Sequence, residues 1–248
     1  MRRNTKLEAI FAGAEASRRC LWAENDAQRR MLRRRADCGE LVQLHGHYYA
    51  RAVYWETLGM GEQYRHVIRS HAVLQPNWVF CDMTAAAMHG LAVGPADTMA
   101  LAENTASPDG PDSTAPSHAK LRAESWHGAG SRRRAESRCS AESPAALPQH
   151  MNQLHVTTTR NGRARDCESI KYHYACALRY ETVDGVKVTG LRQTLFDCAR
   201  HHELNDALPV IKSALHGGFV AQADLANDFD TLPGRHRAHA LSVLLHAI

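Results

Sequence analysis

The sequence predicts an α+β protein, with an N-terminal winged helix-turn-helix, a mixed α/β second domain, and a long disordered insertion inside that domain. Three observations predict it. Residues 25–50 read as a short basic helix followed at once by a small hairpin. Beyond residue 52, helical stretches and short alternating β-branched runs are interspersed. Between residues 94 and 150 periodicity vanishes, and Ser, Ala, Pro and Gly dominate. The expected units are therefore 1–51 (winged helix-turn-helix), 52–93 and 151–248 (two parts of the second domain), and 94–150 (insertion). A chain of 248 residues is long enough to bury a proper core.

Taken in order, Leu7, Ile10, Phe11 and Ala14 fall at i, i+3, i+4 and i+7 and predict a helix over 5–15. Residues 16–23 are expected to continue as a second short helix, with Cys20, Leu21 and Trp22 as its apolar content and Trp22 as a core anchor. A third helix follows, capped by Asn25 or Asp26 and closed by Gly39 in a left-handed turn. Leu41, Val42 and Leu44 form one arm of the hairpin, Gly46 its turn, and Tyr48 and Tyr49 the other arm.

The third helix carries the functional signal. Residues 28–35 hold five arginines and no acid. At about 100° per residue, Arg29, Arg30, Arg33 and Arg34 span an arc of roughly 140°, with Met31, Leu32 and Ala36 on the other side. Arg35 points nearer the apolar side and can lay its stem along it. A guanidinium face fits a DNA major groove, where arginine bonds phosphates or grips guanine O6 and N7. The plain alternative is a solvated arginine-rich face; the hairpin directly behind the helix favours nucleic acid. The expected contact set is Arg29, Arg30, Arg33 and Arg34 with Gln28, His45 and His47.

Further on, residues 52–75 read as helix up to Pro76, and residues 77–81 as a short buried strand. A helix capped by Asp82 and stopped by Gly90 follows, with alanines for close packing and His89 as a hydrogen-bonded structural histidine. Within 94–150, Arg132, Arg133 and Arg134 form a solvated basic run, and Trp126 has no evident role. Residues 154–160 and 169–174 alternate as strands expected to pair across Asn161-Gly162. Asp184-Gly185 marks a hairpin leading into the strand of Val186 and Val188. Helices are then expected over 191–201 (capped by Thr189), 203–215, 221–227 and 235–247, the last with Ala238, Leu241, Leu244 and Leu245 on one side.

Chemistry-bearing motifs are sparse. Phosphate-binding loops, dinucleotide fingerprints and nucleophile elbows do not occur. Cys20, Cys38, His45 and His47, and likewise Cys167, His173 and Cys176, lack tight metal-ligand spacing, so no metal, cofactor or catalytic residue is expected. The sixteen histidines look dispersed, although they can make binding pH-sensitive. Glu181 and Asp184 are paired carboxylates that nothing marks as acid and base. A net charge of +4, reduced cysteines, and the lack of an apolar leader or membrane-length run lead to the expectation of a cytoplasmic protein.

The order of several segments resembles a known family. These are RRRADCGELVQLHGHYYA, VFCDMTAAAMHGL, HVTTTR, VDGVKVTGLRQTLFDCAR and DALPVIKSALHGG. The chain resembles the AbiEi-type antitoxins of type IV toxin–antitoxin systems, in their actinobacterial branch. The positions that match are Gly39, Leu41, Gly46 and Tyr48, then Ala85, Ala86, His89, Gly90 and Leu91, then Thr189, Thr194, Leu195, Asp197 and Ala199. Thr84 stands where that family usually has serine, and the insertion is longer than usual. The resemblance implies a transcriptional autoregulator that binds double-stranded DNA at its own promoter and opposes a nucleotidyltransferase toxin without stable complex formation. Many relatives in this branch continue into a very-short-patch-repair-like endonuclease domain, which is expected to be absent here. The alternative is accordingly a non-catalytic protein-interaction or remnant module related to such a fusion.

Overall fold

The computed structural model describes residues 5–44, 47–94, 153–159 and 169–248, in a mixed α and β arrangement with two sheets. Outside the described residues lie His45 and Gly46, the insertion apart from Gly94 (including Trp126 and Arg132–Arg134), Asn161-Gly162 and Cys167.

The chain opens with α1 (Thr5–Ala16), which packs Leu7 and Phe11 inward. The helix expected over 16–23 does not form. Arg18 takes a left-handed conformation (φ 50°), and the Arg18 and Arg19 N–H groups return to Glu15 and Ala14 carbonyls, closing α1. Leu21–Trp22 then forms strand β1, because Tyr48 and Tyr49 offer a strand edge to pair with. Trp22 is half-buried, edge-on to Tyr48 with ring centroids 6.4 Å apart.

Helix α2 spans Asp26–Asp37. Its N-cap is Asn25, whose Oδ1 accepts the Gln28 N–H at 2.9 Å. At the far end Gly39 (φ 75°) donates to Ala36 O and Glu40 to Arg35 O, the paired bonds of a Schellman closure. Strands β2 (Leu41–Leu44) and β3 (Tyr48–Arg51) follow, giving an antiparallel sheet of order β1-β3-β2. Leu7, Phe11, Leu32, Leu41 and Tyr49 make one small core.

The helix expected over 52–75 is two helices, α3 (Ala52–Glu56) and α4 (Met60–Leu74). The break is stabilised locally. The Thr57 hydroxyl donates to Tyr54 O, and the Gln63 amide donates to Trp55 O and Leu58 O, satisfying the freed carbonyls. Helix α4 faces two cores. Val67 packs with Tyr48 and Trp55, while Tyr64 and Ile68 enter the main core. Ser70 of α4 accepts the Cys20 N–H at 2.8 Å.

The second sheet has order β6-β5-β4-β8-β7, from β4 (Val79–Phe80), β5 (Leu154–Thr158), β6 (Ile170–Tyr174), β7 (Glu181–Val183) and β8 (Val186–Val188). β5 and β6 do pair, but in parallel, Leu154 opposite Ile170 and Thr158 opposite Tyr174. Alternation marks a strand without giving its direction, so the hairpin expected there is corrected. β7 and β8 are joined by Asp184 (φ 49°) and Gly185 (φ 76°), both left-handed, as the expected tight turn requires. Buried Arg69 of α4 clamps this turn through Asp184 at 2.9 Å while holding Glu62 at 3.1 Å.

Helix α5 (Asp82–Met88) packs on β5 and β8, and α6 (Leu191–His201), α7 (Leu204–His216), α8 (Gln222–Asp230) and α9 (Gly234–Ala247) pack on α5 and on one another. Asp82 does not cap α5, because Cys81 holds the N-cap position. Thr189 does not cap α6 either; Gly190 does, since Thr189 ends the strand by donating its N–H to Phe80 O. The buried stripe of α9 is Ala240, Val243, Leu244 and Ala247. The expected stripe is rotated from this one, which leaves Ala238 exposed and Leu245 at 74% exposure. Among the described residues, no helix is long and apolar enough to cross a membrane.

Candidate nucleic-acid interface and a buried histidine cluster

Helix α2 is a short basic rod whose inner face is set by Leu32, with Met31 and Ala36 half-buried beside it. That anchoring decides where the arginines go. Arg29, Arg30, Arg33 and Arg34 are all exposed. Arg35, about 100° round from Arg34, is folded in. Its side chain is 12% exposed and its Nη1 lies 3.4 Å from Glu40 and 3.9 Å from Glu8. Among the described residues Arg33 and Arg34 make no ion pair, while Arg29 meets Asp26 at 3.1 Å in an exposed contact worth little in water.

The remaining expected contact residues separate. The Gln28 Oε1 accepts the Glu24 N–H at 2.8 Å, so this side chain helps to close the start of α2. His47 is exposed at the foot of β3, and burial together with the Arg29 charge lowers its pKa from the ordinary histidine value. The second effect places His47 within electrostatic reach of the arginine face. Arg51, further along β3, is tied to Glu15 and Glu8 of α1.

The second site has no counterpart in any motif. Four histidines, from β5 (His155), β6 (His173) and the end of α6 (His201) and its C-cap (His202), surround the Asp82 carboxylate at the start of α5. Asp82 Oδ2 lies 3.0 Å from His201 Nδ1, 3.7 Å from His155 Nδ1 and 3.8 Å from His173 Nε2. Asp82 Oδ1 lies 2.5 Å from His202 Nε2 and accepts the Met83 N–H at 2.8 Å. The His155 Nδ1 and His173 Nε2 atoms are 2.9 Å apart, with their rings stacked.

Asp82 is fully buried, yet its pKa stays well below the usual carboxylate range. Burial opposes the charge, but the bond to His201, the close approach of His202, and the fields of His202 and His155 outweigh it. Burial pushes His155 down to about 3 and His173 to about 4, against the pull of Asp82, so both imidazoles are neutral near pH 7. Asp82 also sits in the left-handed region (φ 56°), a costly conformation for a residue other than glycine and one that gathers at functional sites.

His173 and His201 border a cleft of about 320 Å³ that also takes in Thr157, Gln193, Asp197 and Arg200. Desolvation lifts the Asp197 carboxyl to about 6. The expectation of dispersed histidines is thus corrected. Residues separated by up to 120 positions converge because β5 and β6 are neighbours and α5 packs against both β5 and α6. His173 was set aside on spacing alone; only the parallel β5–β6 register reveals its partner, for it lies opposite Thr157, two residues on from His155.

The other candidates are structural. The His89 Nε2 donates to Thr189 O at 2.8 Å, as expected of a bonded histidine. Cys20 is buried at the Ser70 contact whereas Cys38 is exposed at the end of α2. Asp184 is held by Arg69, and Glu181 lies 3.6 Å from His89 Nδ1. No protein-family model matches this chain, and neither a curated protein nor a solved structure does.

Proposed function

We propose that this chain is a cytoplasmic, DNA-binding transcriptional autoregulator and the antitoxin of a type IV toxin–antitoxin system. In this reading α1, α2 and the β1-β3-β2 sheet act as a winged helix-turn-helix, α2 enters the major groove, and the β2–β3 hairpin serves as the wing. One observation carries the proposal: four guanidinium groups stand exposed on one face of α2, Arg29 and Arg30 touching Asp26 of their own helix, whereas the fifth, Arg35, is folded against Glu8 and Glu40. The reach of the Arg29 charge to His47 supports the reading, because it puts a hairpin residue within electrostatic range of that face. The antitoxin role is supported by the order of the segments shared with the AbiEi-type family, and its functional counterpart would be a nucleotidyltransferase toxin.

The test is binding of the full chain to duplex DNA from its own upstream region, followed by fluorescence anisotropy at several salt concentrations. Replacing Arg29, Arg30, Arg33 and Arg34 together by alanine is expected to abolish tight binding. It should also lower the salt slope by about 3 to 4, if each arginine meets a phosphate. Affinity unchanged by the quadruple substitution would overturn the proposal. Rescue of cells expressing a nucleotidyltransferase encoded next to this chain tests the antitoxin role separately.

A further inference from the structure

We infer that Asp82, His155, His173 and His201 form a binding site for one divalent transition-metal ion of the zinc type. The donor chemistry is three imidazole nitrogens and one carboxylate oxygen, a set that suits zinc, cobalt, nickel or iron(II) rather than magnesium or calcium. The spacing agrees. A tetrahedral ion with bonds of about 2.0–2.1 Å holds its ligand atoms roughly 3.3 Å apart. Four of the six separations among these atoms are 2.9, 3.0, 3.7 and 3.8 Å, and the ligand atoms of Asp82, His173 and His201 all lie within 4.8 Å of one another.

Three further observations point to a cation. Asp82 is wholly buried, and among the described residues no lysine or arginine nitrogen lies within 4 Å of it; its ion-pair neighbours are all histidines. A buried carboxylate with no permanently charged partner is costly, and an ion at this position supplies one. The two oxygens of Asp82 are also differentiated. Oδ1 is taken by the Met83 N–H and crowded by His202 Nε2, which has no aligned hydrogen-bond partner, so that Oδ2 faces the other three histidines. This is the division of labour by which outer partners orient a ligating carboxylate. Finally, the left-handed backbone of Asp82 accompanies the inward-turned carboxylate, and the cleft beside His173 and His201 provides an entry path.

The competing arrangement is a metal-free network in which His155 and His173 share a proton. An untagged full-length chain, stripped with chelator and dialysed, distinguishes the two by titration with Co²⁺ and Zn²⁺, read by calorimetry and visible absorption. One ion per chain is expected, with the strong visible bands of a low-coordinate Co²⁺ site and with no comparable binding of Mg²⁺. His201→Ala and His173→Ala should abolish stoichiometric binding. His202→Ala, which alters only the brace on Oδ1, should weaken it about 10- to 100-fold. His246→Ala, at an exposed position on α9, should leave it intact. The wild-type spectrum decides the matter even if a variant fails to fold. Absence of a saturable 1:1 ion, or binding unchanged in His201→Ala and Asp82→Asn, would overturn the assignment. The measurement involves no nucleic acid and is independent of the DNA-binding proposal.

Discussion

The Thr84 side-chain oxygen accepts the His155 backbone N–H at 2.9 Å, and this bond ties the helix that carries Asp82 to the strand that carries His155. The hydroxyl is fully used. It lies 2.8 Å from Tyr64 Oη, which itself donates to Gln153 O, so the Thr84 hydrogen goes to Tyr64. Thr84→Val removes the acceptor and the donor at once and leaves buried groups unpaired. A loss of about 2 kcal/mol or more is expected in urea denaturation. Thr84→Ser keeps both bonds and deletes one methyl group, for a loss of about 1 kcal/mol. Equal losses in the two variants would show that the bonds contribute nothing.

The arginines of α2 should divide by role. Arg33 and Arg34 are exposed and without an ion pair among the described residues, so alanine at either should leave stability within about 0.5 kcal/mol. Each should nevertheless lower the salt slope of DNA binding by about one. Arg35→Ala removes a half-buried stem and contacts to Glu40 and Glu8, and is expected to cost about 1 kcal/mol of stability. Denaturation and anisotropy on the three single variants should give this crossed pattern.

A pH dependence follows from His66, which joins α3 to α4. Its Nδ1–H donates to Glu62 O at 2.8 Å, which fixes the tautomer and leaves Nε2 to accept the Tyr54 O–H at 2.8 Å. Burial lowers its pKa from the ordinary value, against the pull of the Glu62 backbone and carboxylate and with minor help from Arg69 and Arg18. The unfolded chain therefore takes up this proton more readily. The stability contributed by neutral His66 is complete above about 6.5 and declines as the pH falls below that value. His66→Gln should flatten that part of the stability–pH curve relative to wild type. An NMR titration placing the His66 midpoint at or above the ordinary value would contradict the argument.

Thiol reactivity should follow burial. Cys38 and Cys176 are exposed, whereas Cys20, Cys81 and Cys198 are buried. Desolvation pushes Cys20 up to about 12 and raises Cys81 and Cys198 as well, so none of the three holds a thiolate near neutral pH. Among the five described cysteines, brief alkylation of the native chain, mapped by peptide mass, should modify Cys38 and Cys176 first. Cys20, Cys81 and Cys198 should react only once the chain is denatured.

What the sequence by itself determined was whatever acts over a few residues. Asn25 and Gly39 bound α2 because a cap and a left-handed closure need only their immediate neighbours. Asp184-Gly185 makes its turn for the same reason, and the separation of Arg35 from the other four arginines follows from helical geometry about Leu32. Tertiary structure decided the rest. Leu21–Trp22 is too short to signal a strand and becomes one only because β3 lies alongside. The direction of β5 against β6 is absent from their alternation. The histidine cluster depends on both kinds of long-range fact, since residues at 82, 155, 173, 201 and 202 share no spacing that a local pattern can register. They meet because parallel strand pairing and the packing of α5 against β5 and α6 bring distant segments within a few ångströms, and burial there gives the Asp82 carboxylate its electrostatic weight.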